Sequence, residues 1–265
     1  MNSFRLAVTQ MTSSDNLAGN LEQLERLYAA AHDADLVVFP ENTLFFRVRS
    51  GSRIQALNWE GPEVQRLQSL VERGHKPLML TTAIQAESSV RNVTALFTPG
   101  GVPRQLYAKI HMFDVDVIGA PPVRESDHFV RGEKPAVVEI NGWKFGLSIC
   151  YDLRFAELYL HYAQQVDVIL IPSAFLVPTG EAHWHTLVRA RAIEAQCFVA
   201  APAQSGAHRS GSEVRHTYGH ALMVDPWGKV LAELSDSPEV QVIELQREAL
   251  EKVRRQIPMG GHRRL

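Results

Sequence analysis

Short apolar runs alternate along this chain with segments whose apolar residues return at helical spacing, and hairpin turns break into that alternation. Residues 4–9 and 36–39 read as strands, the second closed by Pro40, which has no N–H to give a ladder. Residues 16–31 set Leu17, Leu21, Leu24, Leu27 and Ala31 on one side of a helix, and residues 61–73 do so with Val64, Leu67, Leu70 and Val71. Strands are expected at 78–84, 93–98 and 102–109, the last two joined by Pro99-Gly100-Gly101. Residues 136–140 and 143–149 flank Asn141-Gly142, a strong hairpin signal. Helices follow at 154–165 and 181–196, the latter with Trp184, Leu187, Ala190 and Ile193 as its core stripe, with strands at 168–171 and 198–201. Residues 205–215 read as a polar loop. Residues 218–224 and 229–234 form a strand pair about Asp225-Pro226-Trp227-Gly228, before a strand at 240–245 and a helix at 247–256. Helices between strands make this an α/β chain, and the hairpins require mixed rather than purely parallel sheets.

The 265 residues show no repeat and no linker-like break in composition, so one domain, 1–265, is expected. A net charge of −2 leaves no footprint for nucleic acid. No run approaches the roughly 20 apolar residues that span a bilayer, and no basic segment precedes an apolar stretch at the N-terminus, so neither membrane nor secretion is indicated. The two cysteines, Cys150 and Cys197, fall in different patterns and imply no disulfide, which points to a reducing cytoplasm. Cys197, in an apolar setting, reads as core.

Three chemically capable residues stand at equivalent places. Glu41 follows Val38-Phe39-Pro40, Lys109 follows Leu106-Tyr107-Ala108, and Cys150 follows Leu147-Ser148-Ile149, each at the exit of a strand. Loops beyond strand C-termini are where α/β sheets build sites. A carboxylate, an ammonium and a thiol meeting there supply a general base, an oxyanion-stabilising cation and a nucleophile. The segment after Cys150 is expected to start a helix at once, whose unpaired N–H groups and dipole would favour the thiolate. Residues 111–134 lack any sustained period, and so long a patternless stretch inside a compact domain points to function.

Phe39-Pro40-Glu41-Asn42, Tyr107-Ala108-Lys109-Ile110-His111 and Cys150-Tyr151-Asp152-Leu153-Arg154-Phe155 together resemble the signature blocks of the nitrilase superfamily of carbon–nitrogen hydrolases. The resemblance runs through nearly the whole chain. It implies an α-β-β-α sandwich with two mixed β-sheets, and a triad of Glu41 as general base, Lys109 as oxyanion cation and Cys150 as nucleophile. It also implies a second glutamate beside the lysine, for which Glu125 in Arg124-Glu125-Ser126 is the match. Tyr151-Asp152 after the cysteine, where nitrilases place Trp-Glu, favours an amide over a nitrile. Ala182-His183-Trp184, Arg189-Ala190-Arg191-Ala192-Ile193-Glu194 and Tyr218-Gly219-His220 are most similar to the deaminated glutathione amidase branch, with the omega-amidases acting on α-ketoglutaramate as the alternative. Ala156 departs from the family's proline at that position. Members usually form homodimers, and the resemblance implies no cofactor.

The implied chemistry is attack by Cys150 on an amide carbonyl, with Lys109 and the backbone N–H of Tyr151 holding the oxyanion and a thioester as intermediate. Arg154 is a candidate for binding a substrate carboxylate by its two-pronged guanidinium; capping a helix or pairing with Glu157 is the other role open to it. His183 and His185 flank Trp184, and His216 and His220 stand four apart, but no His-Glu-x-x-His and no paired-cysteine motif occurs. Structural or pocket-shaping roles, and no metal, are expected of them. A silent scaffold of the same fold and a nitrilase or carbamoylase with the same triad are the competing readings.

Overall fold

A computed structural model describes residues 2–49, 51–118 and 122–264. The chain runs β1 (Ser3–Met11), α1 (Leu17–Ala30), β2 (Leu36–Val38), α2 (Pro62–Gly74), β3 (Leu78–Ala86), β4 (Ser89–Phe97) and β5 (Arg104–Ala108). Two short strands, β6 (Asp114–Val115) and β7 (Val123–Arg124), precede the hairpin β8 (Val137–Ile140) and β9 (Trp143–Leu147). A 3₁₀ turn at Cys150–Arg154 leads to α3 (Ala156–Tyr162), β10 (Val168–Leu170), α4 (Val177–Ala195) and β11 (Phe198–Ala201). The chain ends with β12 (Ala203–Ser210), β13 (Glu213–Tyr218), β14 (Leu222–Val224), β15 (Val230–Glu233), β16 (Glu239–Gln246), α5 (Arg247–Gln256) and α6 (Met259–His262).

Apart from the small antiparallel pair β6–β7, the strands form two mixed sheets. One has the order β13-β12-β1-β2-β3-β4-β5, with β16 antiparallel to β1; the other has the order β15-β14-β11-β10-β9-β8. Strand alternation sorts the side chains into layers. On β1 and β2, Leu6, Val8, Leu36 and Val38 turn toward Phe145, Leu147, Val168 and the rest of the inter-sheet core. Ala7 and Val37 turn the other way, onto Leu21, Leu24 and Leu27 of α1 and Leu67 of α2. Helices α3 and α4 cover the second sheet through Leu158, Tyr159, Trp184 and Val188. The result is the α-β-β-α sandwich with two mixed sheets expected from the sequence. No described helix is long and apolar enough to cross a membrane.

Two expectations need correction. Residues 205–215 belong to the antiparallel pair β12–β13, which extends the first sheet. Its polar composition reflects an edge exposed to water, and the pairing is pinned by the buried His208 bridging Ser13 and Thr217. Helix α4 starts at Val177, with a proline in its first turn, and its buried face is Trp184, Val188, Arg191, Ala192 and Ala195. Of the expected stripe only Trp184 is fully buried, and Ile193 is 45% exposed. Apolarity was a poor guide because Arg191 occupies the core side. Its guanidinium donates twice to the Leu153 carbonyl, at 3.0 and 2.8 Å, and pairs with Glu194 at 2.6 Å. A buried charge so satisfied takes a place that pattern reading reserves for a hydrophobe.

Candidate active site

The exits of β2, β5 and β9 converge, and the three candidate side chains meet below the surface. Glu41 is 3%, Lys109 2% and Cys150 8% exposed. The Lys109 ammonium donates to Glu41 Oε1 at 2.9 Å. It also reaches both oxygens of Glu125, Oε1 at 2.9 Å and Oε2 at 2.8 Å. Glu125 is held in turn by the Phe113 N–H at 2.7 Å. The Cys150 thiol lies close enough to Glu41 and Lys109 for both charges to act on it.

The patternless stretch at 111–134 delivers Glu125 to the cluster and secures the strand end that carries Lys109. There Gly132 crosses β5, donating its N–H to the Lys109 carbonyl at 2.7 Å. A Cβ at Gly132 would lie 2.1 Å from the Ala108 carbonyl oxygen, so only glycine admits this crossing.

Electrostatics assigns each group a state. Burial raises the Glu41 carboxyl above its ordinary range; Lys109 opposes that shift and Glu125 adds to it. Burial works against the Lys109 ammonium, but Glu125 and Glu41 outweigh it and keep Lys109 charged far into the alkaline range. Burial, and then the Glu41 charge, push the Cys150 thiol well up, with Lys109 opposing. This corrects the expectation of a helix-stabilised thiolate. The segment after Cys150 is a five-residue 3₁₀ turn, too short to supply a helix dipole that could offset desolvation. The resting cluster therefore holds a neutral thiol beside a carboxylate of raised basicity.

The turn itself is tightly built. Cys150 has φ 47°, in the left-handed region that a non-glycine residue seldom enters. Its N–H donates to the Pro172 carbonyl at 3.0 Å. Asp152, fully buried, accepts the Ile149 N–H at 2.9 Å, the Tyr107 hydroxyl at 2.8 Å and the His111 N–H at 3.0 Å. The His111 ring, 2.7 Å from Asp152 through Nδ1, stacks on Phe155. One carboxylate thus ties the strand end that carries Lys109 to the turn that carries Cys150.

A cleft of about 950 Å³, counting its open mouth, lies over the cluster. Glu41, Lys109, Glu125, Cys150, Tyr151 and Arg154 all line it. The Arg154 guanidinium contacts His183 Nδ1 at 3.2 Å and lies 5.7 Å from the Tyr151 ring and 5.5 Å from the Phe175 ring. Two further arginines, Arg47 and Arg215, line the same cleft. Burial lowers the Arg47 pKa, and the nearby Arg215 charge lowers it further.

Neither these two arginines nor Asn92 is among the residues expected from the sequence, and Asp152 enters there only with Tyr151 as a mark of an amide substrate. Asn92 donates to Glu41 Oε1 at 2.9 Å from within β4. Asparagine is disfavoured in strands, so its presence in a run that continues as Val93-Thr94-Ala95-Leu96 was a usable signal. Arg215 is not visible as a site residue in the sequence because its polar segment reads as a loop, whereas β13 pairs it with His208 of β12.

Fold and site together define a carbon–nitrogen hydrolase of the amidase type. The chain belongs to the carbon–nitrogen hydrolase family, whose model matches residues 5–255. It is 37% identical over 272 residues to a deaminated glutathione amidase of Synechocystis, covering 99% of both chains. A deaminated glutathione amidase of Yersinia enterocolitica is 34% identical over 275 residues, covering 100% of this chain and 94% of that relative. The crystal structure of the Caenorhabditis elegans NitFhit protein matches with a TM-score of 0.88 at 31% identity, over 100% of this chain and 66% of that one.

Proposed function

We propose that this amidase hydrolyses a small anionic α-keto-acid amide, with deaminated glutathione as its substrate, through a thioester on Cys150. The observation that carries the reading is the buried Glu41–Lys109 pair lining one cleft with the buried Cys150. As the sulfur attacks the amide carbonyl, the C–S bond forms and the thiol proton passes to Glu41. The Lys109 ammonium and the Tyr151 N–H receive the charge developing on oxygen, which is where fixed donors contribute most. Collapse breaks the C–N bond, and Glu41 returns the proton to the leaving nitrogen. A water that gives its proton to Glu41 then attacks the thioester, releasing the acid and restoring the thiol. Glu125 keeps Lys109 charged and aimed; Asn92 does the same for Glu41.

The substrate class is supported by the names of the relatives and by Arg47, Arg154 and Arg215 lining one cleft. Guanidinium groups pair well with carboxylates. The test is kinetic: kcat/KM for deaminated glutathione, α-ketoglutaramate and an uncharged amide of matched length. Deaminated glutathione is expected to exceed the uncharged amide by at least about a hundredfold, on the scale of two charge-assisted contacts. Equal values for the charged and uncharged amides would refute the anionic class; a preference for α-ketoglutaramate would move the assignment to the omega-amidases.

The chain is further proposed to act as a homodimer in a reducing cytoplasm. Leu160 of α3, 39% exposed, and Ile257 after α5, 44% exposed, support a partner-covered surface there, and sedimentation of the purified protein checks it.

A further inference from the structure

Away from the cleft, three side chains from separate elements converge at the surface. His185 projects from α4, His220 lies just before β14, and Glu233 ends β15. None of the three lines the cleft over Cys150. Both imidazoles aim at one carboxylate oxygen: His185 Nε2 lies 3.0 Å and His220 Nδ1 2.7 Å from Glu233 Oε1. One ligand atom from each residue lies within 4.8 Å of the other two. The side chains are 35%, 30% and 39% exposed, so an ion can enter from solvent.

The scaffold holds this convergence. His220 has φ 55°, a left-handed conformation, and its carbonyl accepts the Trp184 indole N–H at 2.8 Å. Trp184 is fully buried and is the neighbour of His185 on α4, so one anchored residue fixes the spacing of both imidazoles. Glu233 is paired directly to Leu222 across β14 and β15, which holds the carboxylate beside His220. The Tyr218 ring packs 4.4 Å from the His220 ring and closes one flank.

We propose that His185, His220 and Glu233 form a binding site for a borderline divalent transition ion, with Zn²⁺ as its type. Two imidazoles and one carboxylate suit zinc, nickel or cobalt and are poor ligands for magnesium or calcium, which prefer all-oxygen shells. Three protein ligands leave a fourth tetrahedral position toward solvent for water. Binding requires each ring to present a lone pair where it now faces the carboxylate. Each ring then carries any proton on the nitrogen turned away from the ion, His185 on Nδ1 and His220 on Nε2.

The experiment is equilibrium dialysis of chelator-treated full-length protein against Zn²⁺, paired with Co²⁺ absorption spectroscopy. Wild type is expected to bind one Zn²⁺ per chain. His185→Ala and His220→Ala should each weaken binding at least tenfold, and Glu233→Gln several-fold. Co²⁺ should give visible ligand-field bands without a thiolate charge-transfer band, which separates this site from Cys150. A thermal melt of each variant without metal shows whether the fold is intact. Absence of Zn²⁺ binding, binding unchanged in a folded His185→Ala variant, or a thiolate band that accounts for the bound Co²⁺ would each overturn the site and leave a surface hydrogen-bond network.

Discussion

Cys150 combines a left-handed backbone with a desolvated thiol, and neither favours its ionisation at rest. Reactivity then depends on the neighbour that takes the proton. Glu41 is suited to that because burial raises its proton affinity while Lys109 keeps its charged form accessible. The sign of the pH dependence follows. The base must be unprotonated to act, so kcat/KM rises with pH through the raised Glu41 pKa. The acidic limb is expected above the ordinary glutamate range of about 4.3. Glu41→Gln should remove that limb together with most of the activity. A limb at or below the ordinary carboxylate range would contradict the assignment of the base. Residues at this scale were legible where a titratable side chain closes an apolar run, as with Glu41, Lys109 and Cys150. The sequence does not show the state of the thiol, because desolvation by surrounding elements outweighs the local turn.

Connections between elements determine how well those residues are placed. Asp152 binds the turn after β9 to the loop after β5 with four hydrogen-bonding partners, counting both groups of His111. Asp152→Asn keeps the size but forfeits acceptor capacity, and should lower kcat by roughly tenfold to a hundredfold through misplacement of Cys150 relative to Lys109. KM should change far less, and steady-state kinetics on one substrate separates the two effects.

The β12–β13 hairpin has its own pH signature. His208, stacked on Phe46, is lowered from 6.5 to about 4, first by burial. Its folded pKa lies below its unfolded value, so its contribution is complete above pH about 6.5 and is lost as pH falls toward 4. The linked loss is on the order of 3 kcal/mol. Urea titrations from pH 7 to pH 4 should show this decline, and His208→Gln should flatten it while lowering stability at neutral pH. Legibility was uneven here. Hairpins with Asn-Gly and Gly-Gly turns were plain, but β12 and β13 depend on partners far away in sequence, and the buried face of α4 turns on an arginine that pairs with Leu153.

At the scale of the molecule, two sheets packed face to face bring strand exits from 41, 109 and 150 to one rim, and helices on the outer faces leave that rim open. The four-layer architecture was expected from the family blocks, since alternation alone gives only a mixed α/β chain. The cleft's charge was less accessible, because Arg47, Arg154 and Arg215 come from a loop, a turn and an edge strand. Arg154→Met is expected to raise KM for deaminated glutathione about tenfold, as expected for one charge-assisted contact, and to leave the KM of an uncharged amide unchanged. Equal changes for both substrates would assign Arg154 to packing on Tyr151 and Phe175.

Acid-quenched mass spectrometry during turnover of deaminated glutathione, on the intact protein and on its proteolytic peptides, tests the account most directly. A covalent adduct with the mass of the substrate's acyl half is predicted on the peptide holding Cys150. A folded Cys150→Ala variant should show neither adduct nor turnover. An adduct on another residue, or turnover that survives in Cys150→Ala, would contradict it.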